Sequence, residues 1–210
     1  MVLDEQVTLI DGGLKGTHGS LLACLNQLGR GQTEIRQLIA THCHLDHTGS
    51  FARLRGLSKA SVAVHAAEAR FMDGSAPHPN PFRLPVLAWA TGPIASLLAP
   101  PVATVDQRLH DGDLLDVLGG MQVVHTPGHT PGSISLYLPA QGVLVVADAL
   151  ECRFGRLGPP SPTFTADMRL AKQSIRRLAQ LDFEILCFSH FPPIRKHAGR
   201  VLREFAERLA

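Results

Sequence analysis

Six consecutive residues, His42-Cys43-His44-Leu45-Asp46-His47, carry three imidazoles and a carboxylate. Packing gives no reason for such a density of ligand-type side chains, whereas imidazole nitrogen and carboxylate oxygen are what divalent metals bind. His42 and His44 are two apart, so in an extended or loop backbone both point one way while Cys43 points the other. An open loop or a tight turn at Asp46-His47 could swing the second pair beside the first without placing it on the same side. That arrangement suits two neighbouring ions better than one.

Three further ligand types stand at the ends of apolar runs. His129 lies in Thr126-Pro127-Gly128-His129-Thr130-Pro131-Gly132-Ser133, a loop too rich in Pro and Gly to be packing filler. Asp148 follows Val143 to Ala147, where an acid is costly to bury without a cation or a donor. His190 ends the last apolar run in the same way. The other histidines (His18, His65, His78, His110, His125 and His197) match no motif position and are read as structural.

These residues need strands to deliver them. Val7 to Ile10 reads as a strand stopped by the turn Asp11-Gly12-Gly13, and Ile35 to Ala40 as the strand leading into the His cluster. A helix is expected from about Ser20 to Leu28, with Gly29 as its stop. Ser61 to His65 reads as a strand and Ala66 to Met72 as a short helix. Downstream, Leu114 to Leu118, Met121 to Thr126, Ser133 to Leu138 and Val143 to Ala147 read as closely spaced strands of an antiparallel or mixed sheet. A helix capped by Thr165 should run to about Leu181. Glu184 to Phe188 is then the last strand, and a final helix starts near Ile194. Two halves that each run strand then helix suit two sheets packed face to face with helices outside.

Composition narrows the function classes. The chain has 210 residues, is 45% hydrophobic and 18% charged, and has a net charge of +2. It has no Lys/Arg run, so neither nucleic acid nor a membrane surface is expected as a partner. Residues 84 to 105 hold no charge, but Pro85, Gly92, Pro93, Pro100 and Pro101 interrupt them too often for a spanning helix. This apolar, Pro-rich insert, taken as 74 to 105, reads as a lid, a dimer contact or core. Cys24, Cys43, Cys152 and Cys187 are scattered without a C-x-x-C pair, and the N-terminus lacks a signal peptide, which points to the cytoplasm.

The H-x-H-x-D-H motif at His42, His44, Asp46 and His47, with Asp11, His129, Asp148 and His190 in this order, resembles the metallo-β-lactamase superfamily over essentially the whole chain. The resemblance implies a single α/β domain over 1–210, a four-layer αββα sandwich of two mixed sheets with helices on both outer faces. It also implies that His42, His44 and His129 hold one metal, that Asp46, His47 and His190 hold the second, and that Asp148 bridges both. Asp11 would orient the site without being a ligand. Two divalent ions, zinc first with iron and manganese as alternatives, would acidify a shared water and polarise a carbonyl. Asp46 would hold the nucleophile and pass a proton to the leaving group.

Differences between subfamilies narrow the chemistry. Asp46-His47 with Asp148 is similar to the glyoxalase II type of site, which points away from β-lactams and toward an ester, thioester or lactone. Glyoxalase II adds a C-terminal domain that grips glutathione, whereas twenty residues follow His190 here. Acyl-homoserine lactonases carry a Tyr shortly after the bridging aspartate, and here Ala149 to Phe154 contain none. Phe191 replaces a common Gly and either narrows the pocket or packs. Family members usually begin with a strand that this chain is read as lacking, leaving a sheet edge for a second copy to cover as a homodimer. The alternative is a mononuclear iron oxygenase resembling the persulfide dioxygenases, with His42, His129 and Asp148 on one iron. Because imidazole must be neutral to bind a metal, activity and metal affinity should fall together below about pH 6. A rate profile flat down to pH 5 would contradict this.

Overall fold

The run Ile35–Ala40 (β3) is the strand around which the first half of the chain is built. It lies between β2 (Val7–Ile10) and β4 (Ser61–His65), parallel to both, with Leu38 opposite Leu9 on one side and Val62 on the other. With β1 (Val2–Leu3) and β5 (Gln107–Leu109), the sheet order is β1-β2-β3-β4-β5, and β5 is parallel to β4. Parallel neighbours need helical crossovers, supplied here by α1 (His18–Gln27) and α3 (Phe51–Ser58). Leu25, Phe51 and Leu54 of those helices are buried against Val7, Leu9, Ile35, Leu38, Val62 and Val64. Each fully buried side chain of this size contributes about 1.5–3 kcal/mol.

The structure, a computed structural model, describes residues 1–78 and 103–209. The chain divides into two compact units, residues 1–109 and 110–210. The apolar insert expected at 74 to 105 falls mostly on residues outside those described. Among the described residues no helix is long and apolar enough to cross a membrane.

The second unit has a five-stranded sheet in the order β12-β9-β8-β7-β6. Its strands are β6 (Leu114–Leu115), β7 (Met121–His125), β8 (Ile134–Leu138), β9 (Val143–Ala147) and β12 (Ile185–Phe188). β6 to β9 run antiparallel to one another, and β12 is parallel to β9. Leu144 and Val146 of β9 are buried at alternate positions. They share a core with Ile175 and Leu178 of the helix Met168–Leu178 and with Leu202 of the helix Ala198–Glu207.

Several expectations are corrected. β2 is not the sheet edge, because Val2–Leu3 (β1) pairs antiparallel with it, Val2 opposite Thr8. Arg30 secures that hairpin by donating to the carbonyls of Asp4 and Glu5, both at 2.9 Å. The cap of the helix Met168–Leu178 is Asp167, not Thr165. The Asp167 carboxylate accepts from Leu170 N–H at 3.0 Å, while the Thr165 hydroxyl donates to the Ser161 carbonyl at 2.7 Å. That helix ends at Leu178, three residues early. The last helix starts at Ala198 because Ile194 is held in a bridge to Leu186, their amides and carbonyls exchanging bonds of 2.9 and 3.0 Å. A hairpin unforeseen in the sequence, β10 (Glu151–Arg153) with β11 (Arg156–Gly158), follows Asp148.

Candidate metal centre

β3 ends at Ala40, and the chain then runs through Thr41 to His44, which caps the short helix α2 (Leu45–Thr48). Asp46 and His47 therefore lie in a helical turn, not an open loop. The first unit brings together His42, His44, Asp46, His47 and Asp11. His42 Nε2 lies 3.1 Å from His44 Nδ1, and the His42 and His47 rings are 4.0 Å apart at their centroids. His47 Nε2 lies 3.6 Å from Asp46 Oδ2. His42 and His47 are buried, while the Asp46 side chain keeps 40% of its exposure.

Asp11 organises this set. Its Oδ1 accepts from Thr41 N–H at 2.8 Å, and its Oδ2 from the Thr41 hydroxyl at 2.8 Å and from His47 Nδ1 at 2.8 Å. The bond to His47 places the ring proton on Nδ1 and leaves the Nε2 lone pair for a ligand bond. The Thr41 hydroxyl spends its one hydrogen on Asp11, so it accepts from His42 Nδ1 at 3.1 Å. His42 is thereby also committed to coordination through Nε2. Asp11 reaches these partners from a left-handed backbone, φ 59°, which Asp tolerates better than most residues.

Two glycines let the segments around this set approach closely. A Cβ at Gly49 would lie 2.4 Å from Lys15 N and 2.6 Å from the Leu45 carbonyl. At Gly12, whose N–H donates to the His47 carbonyl at 2.6 Å, a Cβ would meet the Phe51 ring at 2.8 Å. Gly12 is marked in the sequence only as part of the turn Asp11-Gly12-Gly13, and no spacing signal marks the roles of Gly49 or Thr41.

The second unit brings together His129, Asp148 and His190. Asp148 Oδ2 lies 3.6 Å from His129 Nε2 and 3.3 Å from His190 Nε2, so one carboxylate oxygen serves both rings. Asp148 follows Ala147, whose φ of 46° turns the chain sharply out of β9. The His129 loop is fixed by donors just before the helix Met168–Leu178: Asp167 N–H to the Gly128 carbonyl at 2.8 Å and Ala166 N–H to the His129 carbonyl at 3.0 Å. Ser174 adds a bond to the Pro127 carbonyl at 2.7 Å.

These distances test whether the residues fit metal ions. Two ligands on one tetrahedral ion, each at about 2.0–2.1 Å, are about 3.3 Å apart. The pairs above lie at 3.1 to 3.6 Å, whereas a charge-assisted hydrogen bond to carboxylate closes to about 2.7–2.9 Å. The His47–Asp11 contact on the opposite ring nitrogen does close to that range. On His47 the outer-side contact to Asp11, at 2.8 Å, is thus shorter than the ligand-side contact to Asp46, at 3.6 Å. Among the described residues, the metal-ligand candidates are His42, His44, Asp46, His47, His129, Asp148 and His190.

The remaining polar candidates have structural roles. Cys43 is buried in the first core, and burial, with Glu68 beside it, pushes its thiol far up, so it is inert as a nucleophile. The Tyr137 hydroxyl donates to the Asp182 carbonyl at 2.7 Å. Phe191 packs edge-on against Phe188 and under the Arg153 guanidinium. His125 Nε2 lies 2.9 Å from the Pro131 carbonyl, and Ala67 N–H donates to His65 Nδ1.

The family model for the metallo-beta-lactamase superfamily matches residues 1–190. The chain is 29% identical over 217 residues to the "Probable metallo-hydrolase YflN" of Bacillus subtilis, covering 96% of this chain and 82% of that protein. It is 29% identical over 175 residues to a hydroxyacylglutathione hydrolase of Cereibacter sphaeroides, covering 82% of this chain but 53% of the relative. A metallo-beta-lactamase family protein from Thermus thermophilus matches in structure with a TM-score of 0.71 at 27% identity, covering 99% of this chain and 72% of that one.

Proposed function

The chain belongs to the metallo-β-lactamase superfamily, and we propose that within it this protein is a binuclear metal hydrolase, with zinc, acting on a small-molecule ester, thioester or lactone. His42, His44 and His129 would hold one ion, Asp46, His47 and His190 the other, and Asp148 both. When bound, such ions supply an acidified water and a Lewis acid for the substrate carbonyl.

The chain's own residues do the rest. Asp11 holds the His47 proton on Nδ1, and Thr41 passes the same constraint to His42, so both rings keep Nε2 as a donor atom. Asp46, the most solvent-accessible carboxylate of its set, would take the proton released by the attacking water and return it to the leaving oxygen or sulfur. Names of relatives support hydrolysis, among them hydroxyacylglutathione hydrolase, a thioester-type activity proposed here only as a class. Four free cysteines suit a reducing cytoplasm.

The observation that carries the binuclear reading is the 2.8 Å bond from His47 Nδ1 to Asp11. A protein using only His42, His129 and Asp148 would have no need to set the tautomer of His47. Elemental mass spectrometry on protein purified without added metal is expected to find about two zinc per chain. About one iron per chain, with oxygen uptake on a persulfide, would replace the hydrolase by an oxygenase.

A further inference from the structure

Glu68 is fully buried, 0% exposed, beyond the set of ligands and their direct partners. An apolar residue would fill that space without the cost of burying a carboxyl group, so its placement calls for a polar reason. Its Oε2 accepts from Cys43 N–H at 3.1 Å, and its carboxyl also meets the Cys43 thiol. Cys43 is the residue between His42 and His44. Glu68 is itself anchored, its N–H donating to the His65 carbonyl at 2.9 Å and its carbonyl receiving Phe71 N–H at 3.0 Å. The carbonyl of Cys43 is held from the other side. The Thr48 hydroxyl, 3.3 Å away, donates to it while also reaching the His44 carbonyl at 3.1 Å, and the His78 ring hydrogen-bonds to the Cys43 backbone.

We infer that Glu68, with Thr48 and His78, clamps the backbone of Cys43 and so acts as a positioning residue for His42 and His44. The inference rests on the metal-centre reading above. The two rings must present Nε2 and Nδ1 only 3.1 Å apart. Rotation of either peptide flanking Cys43 swings one or both rings off that geometry. A carboxyl on the N–H, with the Thr48 hydroxyl and the His78 ring on the carbonyl side, opposes that rotation from both ends, and Glu68, Cys43 and Thr48 are all fully buried.

The test is the zinc affinity of the metal-stripped full chain, read by competition with a chromophoric chelator, together with the thermal midpoint of the stripped protein. Glu68→Ala should weaken zinc binding about 10- to 100-fold. Glu68→Gln, whose amide oxygen accepts the same N–H, should stay within about threefold of the unsubstituted chain. A lowered midpoint with unchanged affinity in Glu68→Ala would mean that Glu68 serves packing alone, and the inference falls. Should Glu68→Ala not fold, Thr48→Val reads the same residue from its carbonyl side, and unchanged affinity there overturns the inference equally. An unsubstituted chain that binds no zinc would instead remove the metal reading, and this inference with it.

Discussion

Asp148→Asn is expected to lower kcat/KM for an ester or thioester on the order of 10³-fold, about 4 kcal/mol of transition-state stabilisation, and to lose bound metal. The reason lies in one oxygen. Asp148 Oδ2 faces His129 Nε2 at 3.6 Å and His190 Nε2 at 3.3 Å. An amide halves the acceptor capacity at that point and offers an N–H where a lone pair is needed. The fold should survive, because the change removes a partly buried charge and no apolar contact. Kinetics, metal content and thermal midpoint measured on one preparation check this. A loss below tenfold with full metal content would remove Asp148 from the site.

The second large effect is on stability. Gly128→Ala should destabilise the chain by about 2–6 kcal/mol, combining backbone strain of about 1–3 with overpacking of about 1–3. Gly128 has φ 138°, and a Cβ there would sit 2.3 Å from Ala171 N and 2.4 Å from Ala171 Cα, backbone atoms of the helix Met168–Leu178 that cannot step aside. The next residue is His129, so any shift that relieves the clash moves a candidate ligand, and hydrolysis should be lost along with stability. Gly119 is the control. It also has positive φ, 76°, but opens onto space with no atom within 4 Å, so Gly119→Ala should cost only about 1–2 kcal/mol. Chemical denaturation of both variants decides the point, and equal costs would show that the Ala171 contact is not what requires glycine.

Much of the candidate site was legible in the chain because it is local or tied to strand ends. Four ligand types in six residues cannot be mistaken for packing, and His129, Asp148 and His190 each follow an apolar run that does form a strand of the second sheet, β7, β9 and β12. The alternation in Val143–Ala147 and the i, i+3, i+4, i+7 spacing of Ala171, Ser174, Ile175 and Leu178 likewise report buried faces directly. Boundaries were less legible. Thr165 and Asp167 are both good caps by type, and the choice between them depended on Ser161, whose carbonyl captured the threonine hydroxyl.

By itself, then, the sequence determined which atoms can bind metal and which elements carry them, since ligand type and periodicity are properties of neighbouring residues. The tertiary structure alone decided which nitrogen His42 and His47 turn toward the other candidate ligands, which glycines admit no side chain and why a glutamate is buried behind Cys43. Those depend on Asp11 meeting His47 and Thr41, on Gly128 meeting Ala171, and on Glu68 meeting the Cys43 N–H. These are contacts between residues 25 to 43 positions apart, which no local pattern encodes.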